Sequence, residues 1–317
     1  GHTQCVELLL KHPNINVNHA SKVGCTALIY ASYNGNTTCV ELLLKHLNIN
    51  VNHATNDGAT ALIIASGKGH NQCVELLLKH PNINVNHANN DGATALIIAS
   101  CKGHNQYVEL LLKHPNINVN HAAKKDGATA LIIASNKGNT DIVKALLKHP
   151  NINVNHGSNE YGETALIRAC NNYHTQCVEL LLKHPKINVN HVDNIGDSAL
   201  IIASHNGHTE CVELLLKHSN INVNHADNEY GNTALTWASR WGKTECVELL
   251  LKYPKINVNH ADKYGVTALI LAKIEANYYS KYIWANDYSN VIKLLLKHPN
   301  IDTLKQDIFG TCYFDLL

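Results

Sequence analysis

The chain has almost no net charge: 26 Lys and Arg stand against 25 Asp and Glu, a formal +1. No field of that size argues for nucleic acid or an anionic membrane surface as partner. It has no apolar run near the roughly 20 residues that span a bilayer, so membrane insertion is not expected. It also lacks His-Glu-x-x-His, a nucleophile elbow and any Cys-x-x-Cys pair, and with them the short signatures of metallopeptidases, hydrolases and redox enzymes. Methionine is missing altogether, and the opening Gly1-His2-Thr3-Gln4 does not read as a signal or transit peptide. The first residues match the middle of a later stretch, Gly69-His70-Asn71-Gln72-Cys73-Val74-Glu75, so the expectation is an excerpt from a longer protein.

What the chain does have is repetition. The motif Asn-Val-Asn-His ends at His19, His53, His87, His121, His156, His191, His225 and His260, in steps of 34 or 35 residues. A unit so short cannot bury its own apolar face and must stack on its neighbours. The result is an extended surface whose usual use is to hold another molecule. The copies between 54 and 121 are nearly identical, which suggests duplication.

One copy can be read by its physics. Gly92 suits a turn with positive φ, and Thr94 stands where an N-cap belongs, ahead of the helix formers Ala95-Leu96-Ile97-Ile98-Ala99-Ser100. Lys102-Gly103 breaks that helix. A second apolar stripe then runs from Asn105 to His114, where Pro115 stops it. Asn116-Ile117-Asn118-Val119-Asn120-His121 alternates polar and apolar, and predicts an extended arm leading to a tight Asn-Asp-Gly tip. Each copy is therefore a hairpin-like finger followed by two antiparallel helices.

These residues resemble the ankyrin repeat. Gly92-Ala93-Thr94-Ala95-Leu96-Ile97-Ile98-Ala99, Gly103-His104, Val108-Glu109-Leu110-Leu111-Leu112 and Asn118-Val119-Asn120 follow that family's G-x-T-P-L-H-x-A, G-H, V-x-L-L-L and D-V-N in order. The pattern recurs eight times, with full repeats starting near 21, 55, 89, 124, 159, 193, 228 and 262, a partial repeat at 1–20 and a truncated unit at 307–317. Three departures stand out. The family's Pro is Ala (Ala27, Ala61, Ala95, Ala130), which loses a preset φ, and its His is mostly Ile (Ile29, Ile63, Ile97, Ile132), which loses a hydrogen bond to the Thr. The arm is one residue longer, giving 34 where the family has 33.

Twenty-two His invite a metal site, but they sort onto the repeat. Eight close the second helix, eight follow Asn-Val-Asn, five sit after the helix break, and His205 alone is off the grid. A His at a helix C-terminus is favoured by the dipole, so framework rather than zinc is the reading. Cys5, Cys39, Cys73, Cys177, Cys211 and Cys246 share one helix-two position, which Tyr107 and Ile142 also occupy, and read as small core hydrophobes. Stacked helices lie roughly 8–10 Å apart, beyond the Cα separation of about 7 Å that a disulfide tolerates, so a reducing, cytoplasmic setting is expected. Glu75 with Lys79 and Glu109 with Lys113 are i,i+4 pairs on a solvated face. Gly242-Lys243-Thr244 matches the end of a phosphate loop, but the required earlier Gly would fall at Trp237.

The resemblance implies one all-α solenoid domain of antiparallel helix pairs with short β-hairpin-like fingers. It implies a monomeric, non-catalytic scaffold without metal or cofactor, holding a protein partner at the finger tips and the ends of the first helices. An alternative is a regulatory or targeting segment of a larger enzyme or channel. Carried over by position, the helix-end contacts are Tyr33, Lys68, Lys102, Lys137, Asn172, His205, Arg240 and Trp241, and the tip contacts are Tyr230 and Tyr264. The family's asparaginyl hydroxylation would fall at Asn18 or Asn52, although the usual acidic residue two before is Asn16 or Asn50. All three Trp lie in the C-terminal third. An insertion at about 276–287, with Tyr279, Tyr282 and Trp284, is aromatic enough to expect recognition there; the alternative is that it extends the helices, with Trp237 at a normally buried framework position.

Overall fold

The computed structural model describes residues 2–279 and 285–316. They form two compact units, Gly1–Glu160 (the N-unit) and Tyr161–Leu317 (the C-unit). The N-unit holds α1 (Thr3–Leu10), α2 (Ala27–Tyr33), α3 (Thr37–Leu44), α4 (Ala61–Lys68), α5 (Asn71–Leu78), α6 (Ala95–Lys102), α7 (Asn105–Leu112), α8 (Ala130–Lys137) and α9 (Thr140–Leu147). The C-unit holds α10 (Ala165–Asn171), α11 (Thr175–Leu182), α12 (Ala199–Asn206), α13 (Thr209–Leu216), α14 (Ala234–Arg240), α15 (Thr244–Leu251), α16 (Ala268–Tyr278) and α17 (Ala285–Leu296). Within each unit first helices stack on first helices, second on second, and each first helix packs against its own partner.

The local causes are those the sequence predicts. Thr94 is extended (φ −86°, ψ 170°) and its Oγ1 accepts the Ile97 amide at 3.3 Å, a side-chain N-cap worth about 1 kcal/mol. The same cap recurs at Thr26, Thr60, Thr129, Thr164, Ser198, Thr233 and Thr267. Helix α6 runs on through Lys102 and is ended by left-handed Gly103. Its partner α7 ends at Leu112, two residues before His114, because the His114 amide turns back to the Leu111 carbonyl. Ala95, Leu96, Ile97, Ala99, Val108 and Leu111 are all buried, so the stripe that defines the helices also builds the core.

The arm differs from the extended segment that its alternation predicts. It is a run of turns, with Ile117 N bonding His114 O and His121 N bonding Asn118 O, and a single antiparallel bridge, Ala88 to Thr94, closes the finger that precedes α6. No ladder longer than one bridge occurs among the described residues. The apolar alternation serves a different end: Val119 is buried, Asn118 Oδ1 accepts the Asn120 amide within the arm, and the Asn120 side chain reaches the next repeat.

Two side-chain ladders tie the repeats together. Asn52 donates Nδ2 to the Asn82 carbonyl at 2.7 Å and accepts the Asn84 amide on Oδ1 at 2.8 Å, and Asn18, Asn86, Asn120, Asn190, Asn224 and Asn259 do the same one repeat on. His53 points Nε2 at the Gly24 carbonyl at 3.2 Å, which makes Nε2 the protonated nitrogen. His87, His121 and His156 repeat this in the N-unit, and His191, His225 and His260 in the C-unit. Each bond adds about 0.5–1.5 kcal/mol net.

Most of the remaining His also have framework partners. Those closing the second helices accept a backbone amide two residues on: His80 Nδ1, for one, accepts the Asn82 amide at 3.2 Å. Among those after the break, His70 meets the Tyr33 carbonyl and His208 the Cys170 carbonyl. Cys39, Cys73, Cys177, Cys211 and Cys246 are buried and Cys5 is exposed. Tyr107 uses the same position to send its hydroxyl to the Gly69 carbonyl. Cys170 bonds Cys211, which with burial pushes the Cys170 thiol well above its ordinary value. Ion pairs close at Glu41–Lys45, Glu179–Lys183, Glu213–Lys217 and Glu248–Lys252 but not at Glu75–Lys79 or Glu109–Lys113; exposed pairs gain so little that either state is accessible.

Candidate functional site

The predicted helix-end residues occupy one edge in each unit. In the N-unit, Tyr33 is half exposed at the end of α2, with the Lys68 ammonium 4.2 Å above its ring. Lys68, Lys102 and Lys137 are the last residues of α4, α6 and α8, where a positive charge suits the helix dipole. Asn172 caps α10 and donates Nδ2 to the Arg168 carbonyl at 3.0 Å.

The C-unit edge is aromatic. His205 on α12 lies 4.9 Å from the Trp237 ring and 5.3 Å from that of Trp241. Burial, then the charges of Lys243 and Arg240, holds its imidazole below the ordinary histidine value. The Arg240 guanidinium sits 5.6 Å over Trp237 and pairs with Glu275 at 3.4 Å. Trp237 is half-buried rather than in the core, and its Nε1 donates to Asp227 Oδ2 at 2.9 Å. Trp241 is 46 % exposed. It borders a cleft of about 610 Å³ shared with Lys243, Thr244, Tyr279, Asp287 and Tyr288, and a second of about 260 Å³ with Arg240, Glu275 and Tyr278.

The insertion extends the helices on both sides. Helix α16 has 11 residues and α17 has 12, against 7 or 8 elsewhere. Tyr279 caps α16 and stacks on Tyr288, 5.8 Å between centroids and 2° between planes. Burial, with Glu275, Tyr279 and Asp287 around it, pushes the Tyr288 phenol up to about 12. Tyr282 and Trp284 lie outside the described residues.

The predicted tip residues Tyr230 and Tyr264 are exposed, and they belong to a longer row. Tyr161, Ile195, Tyr230 and Tyr264 each precede a tip glycine and are 36 % to 53 % exposed. Adjacent tips are joined backbone to backbone: Asn194 N to Tyr161 O, Asn228 N to Ile195 O and Lys263 N to Tyr230 O, at 2.9–3.0 Å. Sequence reasoning missed Tyr161 and Ile195, and also Glu163, Asp197 and Asn232, which stand between tip glycine and capping residue where the N-unit has Ala59, Ala93 and Ala128. That Ala-to-polar change was the available signal. Asn18 and Asn52, the hydroxylation candidates, have both ends of their amides engaged in the Asn ladder. No group of three or more Cys, His, Asp or Glu suited to a metal occurs among the described residues.

Stacked helix pairs, bridge-closed fingers and an edge of exposed helix ends define a repeat protein of the interaction type. The family model for ankyrin repeats matches residues 1–55, 47–123, 81–158, 115–193, 152–227, 185–262 and 224–307, and the chain belongs to the ankyrin-repeat family. Solved structures agree. The ankyrin repeat protein EF0377 matches at TM-score 0.57 and 26 % identity, over 63 % of this chain and 100 % of its own. The ankyrin repeat domain of Bcl-3, a member of the IkappaB family, matches at TM-score 0.64 and 25 % identity, over 72 % of this chain and 99 % of its own. A comparison with curated proteins returned no match. Ankyrin repeats are protein-interaction modules, and the fold is typically non-catalytic.

Proposed function

We propose that this chain is a cytoplasmic, monomeric binding scaffold whose C-unit carries the main recognition surface for a partner protein. The observation that carries this is the His205–Trp237–Trp241 stack with Arg240 fixed beside it, half-exposed and bordering two clefts. A core needs no such group at its edge, whereas Trp, Tyr and Arg dominate binding hot spots when their neighbours hold them rigid. Arg240 is held by an ion pair and a ring face, so little side-chain entropy remains to be lost on binding. The N-unit edge, with Lys68, Lys102 and Lys137, contributes a secondary, charge-dependent contact.

The test is the affinity of a partner recovered with the intact chain. Trp241→Ala is expected to weaken binding by more than about 2 kcal/mol while the thermal melt stays nearly unchanged, and Lys102→Ala to change it by less than about 1 kcal/mol. Unaltered affinity in Trp241→Ala overturns the assignment.

A further inference from the structure

One carboxylate in the C-unit is left without a partner. Asp197 is half-buried, and no described donor or cation meets its side chain; its backbone amide is bonded to Asp193 Oδ1 at 2.8 Å. Burial and then the carboxylates of Asp193, Asp227 and Glu229 push it up to about 7, far above an ordinary aspartate. A buried anion is normally paired or hydrogen-bonded, since leaving it alone costs more than almost any surface feature.

The neighbouring repeat shows the missing element. Glu163 holds the same register as Asp197 and is paired at 2.5 Å with Arg168, five residues on. The same offset from Asp197 lands on Ile202, which has no charge, and from Asn232 on Trp237. Asn232 is buried, and its Oδ1 also has no donor. Three cations of the same unit are committed elsewhere: Arg168 to Glu163, Arg240 to Glu275, and the Lys263 ammonium to the carbonyls of Asn228 and Glu229.

We propose that Asp197, in the finger whose exposed tip is Ile195, receives an arginine or lysine side chain from an extended segment of a partner protein. The inference rests on the scaffold reading above and names the chemistry of its partner. An apolar row, Tyr161, Ile195, Tyr230 and Tyr264, accompanies the acidic one, so the segment alternates cationic with apolar residues. Its conformation follows from spacing. Stacked repeats repeat about every 10 Å, and an extended chain covers that distance in about three residues, so one face of a polyproline-like segment meets successive tips. The excess of carboxylates on these fingers disfavours a nucleic acid.

The test uses the full chain and labelled peptides of nine residues, three copies of Leu-Arg-Pro against three copies of Leu-Glu-Pro, read by fluorescence polarisation at low salt. The Arg peptide is expected to bind at least tenfold tighter. Asp197→Asn, and independently Ile202→Arg, which supplies the guanidinium from within as Arg168 does for Glu163, are each expected to remove at least tenfold of that affinity. Saturation with the Arg peptide is expected to bring the Asp197 carboxyl, followed by carbon-13 NMR, down toward the ordinary aspartate range. Equal binding of the two peptides, no binding of the Arg peptide, or wild-type affinity in Asp197→Asn overturns the proposal. If a recovered partner is lost by Trp241→Ala but not by Asp197→Asn, this inference fails and the scaffold reading stands; if neither variant weakens it, both fail.

Discussion

The N-unit and C-unit are built on one framework and differ at the positions the framework leaves alone. The N-unit puts Ala59, Ala93 and Ala128 between tip and cap and Ile64, Ile98 and Ile133 on the half-buried face of the first helix. At the same registers the C-unit has Glu163, Asp197 and Asn232, then Arg168, Ile202 and Trp237. The caps, the Asn and His ladders and the buried Leu and Val are the same in both. The framework residues and the variable ones are therefore separate sets, and on the reading proposed above the second set, which carries recognition, can change with little cost to the first.

Core truncation sharpens that comparison most. Leu111→Ala in the N-unit and Leu215→Ala in the C-unit remove equivalent, fully buried side chains, and denaturant melts are expected to show a loss of about 2–5 kcal/mol for each. A large inequality between them would break the idea of a shared framework. The ladder is next. Asn86→Ala removes the bonds to the Asn116 carbonyl and from the Asn118 amide, and a loss of about 1–3 kcal/mol for the two together is expected, matched by Asn190→Ala.

Asp197 is where the two units should diverge. Its folded pKa lies above the unfolded value, so the folded chain holds the proton more tightly. The stability this gives is complete below the ordinary aspartate pKa and is lost as pH rises toward about 7. Asp197→Asn is therefore expected to stabilise the chain at pH 8, by about 1 kcal/mol once partial solvent screening is allowed for, and to gain progressively less as pH falls. Melts at several pH values check the sign; destabilisation at pH 8 would mean the carboxylate has a partner. The smallest effect is expected at Lys102→Ala, within about 0.5 kcal/mol, because the side chain only decorates a helix end.

Much of the fold was legible because its causes are local. Thr94 caps the helix that its hydroxyl predicts, Gly103 ends it in the left-handed region, and Gly92 turns the finger at φ +80°, where an added Cβ would meet the Lys124 amide at 2.4 Å. Even the exception is instructive. Tyr173 takes the position of Gly103 at φ +59°, the one non-glycine with positive φ among the described residues, and packs on His208 at 4.8 Å. The candidate surface was legible only in part. Trp241, Arg240, Tyr230 and Tyr264 were found by composition and family position, whereas Asp197 reads in sequence as one more polar loop residue.

The sequence by itself determined the period, the two helices of each repeat, their caps and the burial of the Leu and Val stripe, because each depends on residues within a few positions of one another. Only the tertiary structure decided that the regular His serve a neighbouring finger 29 residues away, that Trp237 is half-buried and bonded to Asp227, and that Asp197 lies among carboxylates with no cation. Those outcomes depend on which side chains meet across stacked repeats. A half-buried charge takes its energy from the groups brought to it, and chain order does not list them.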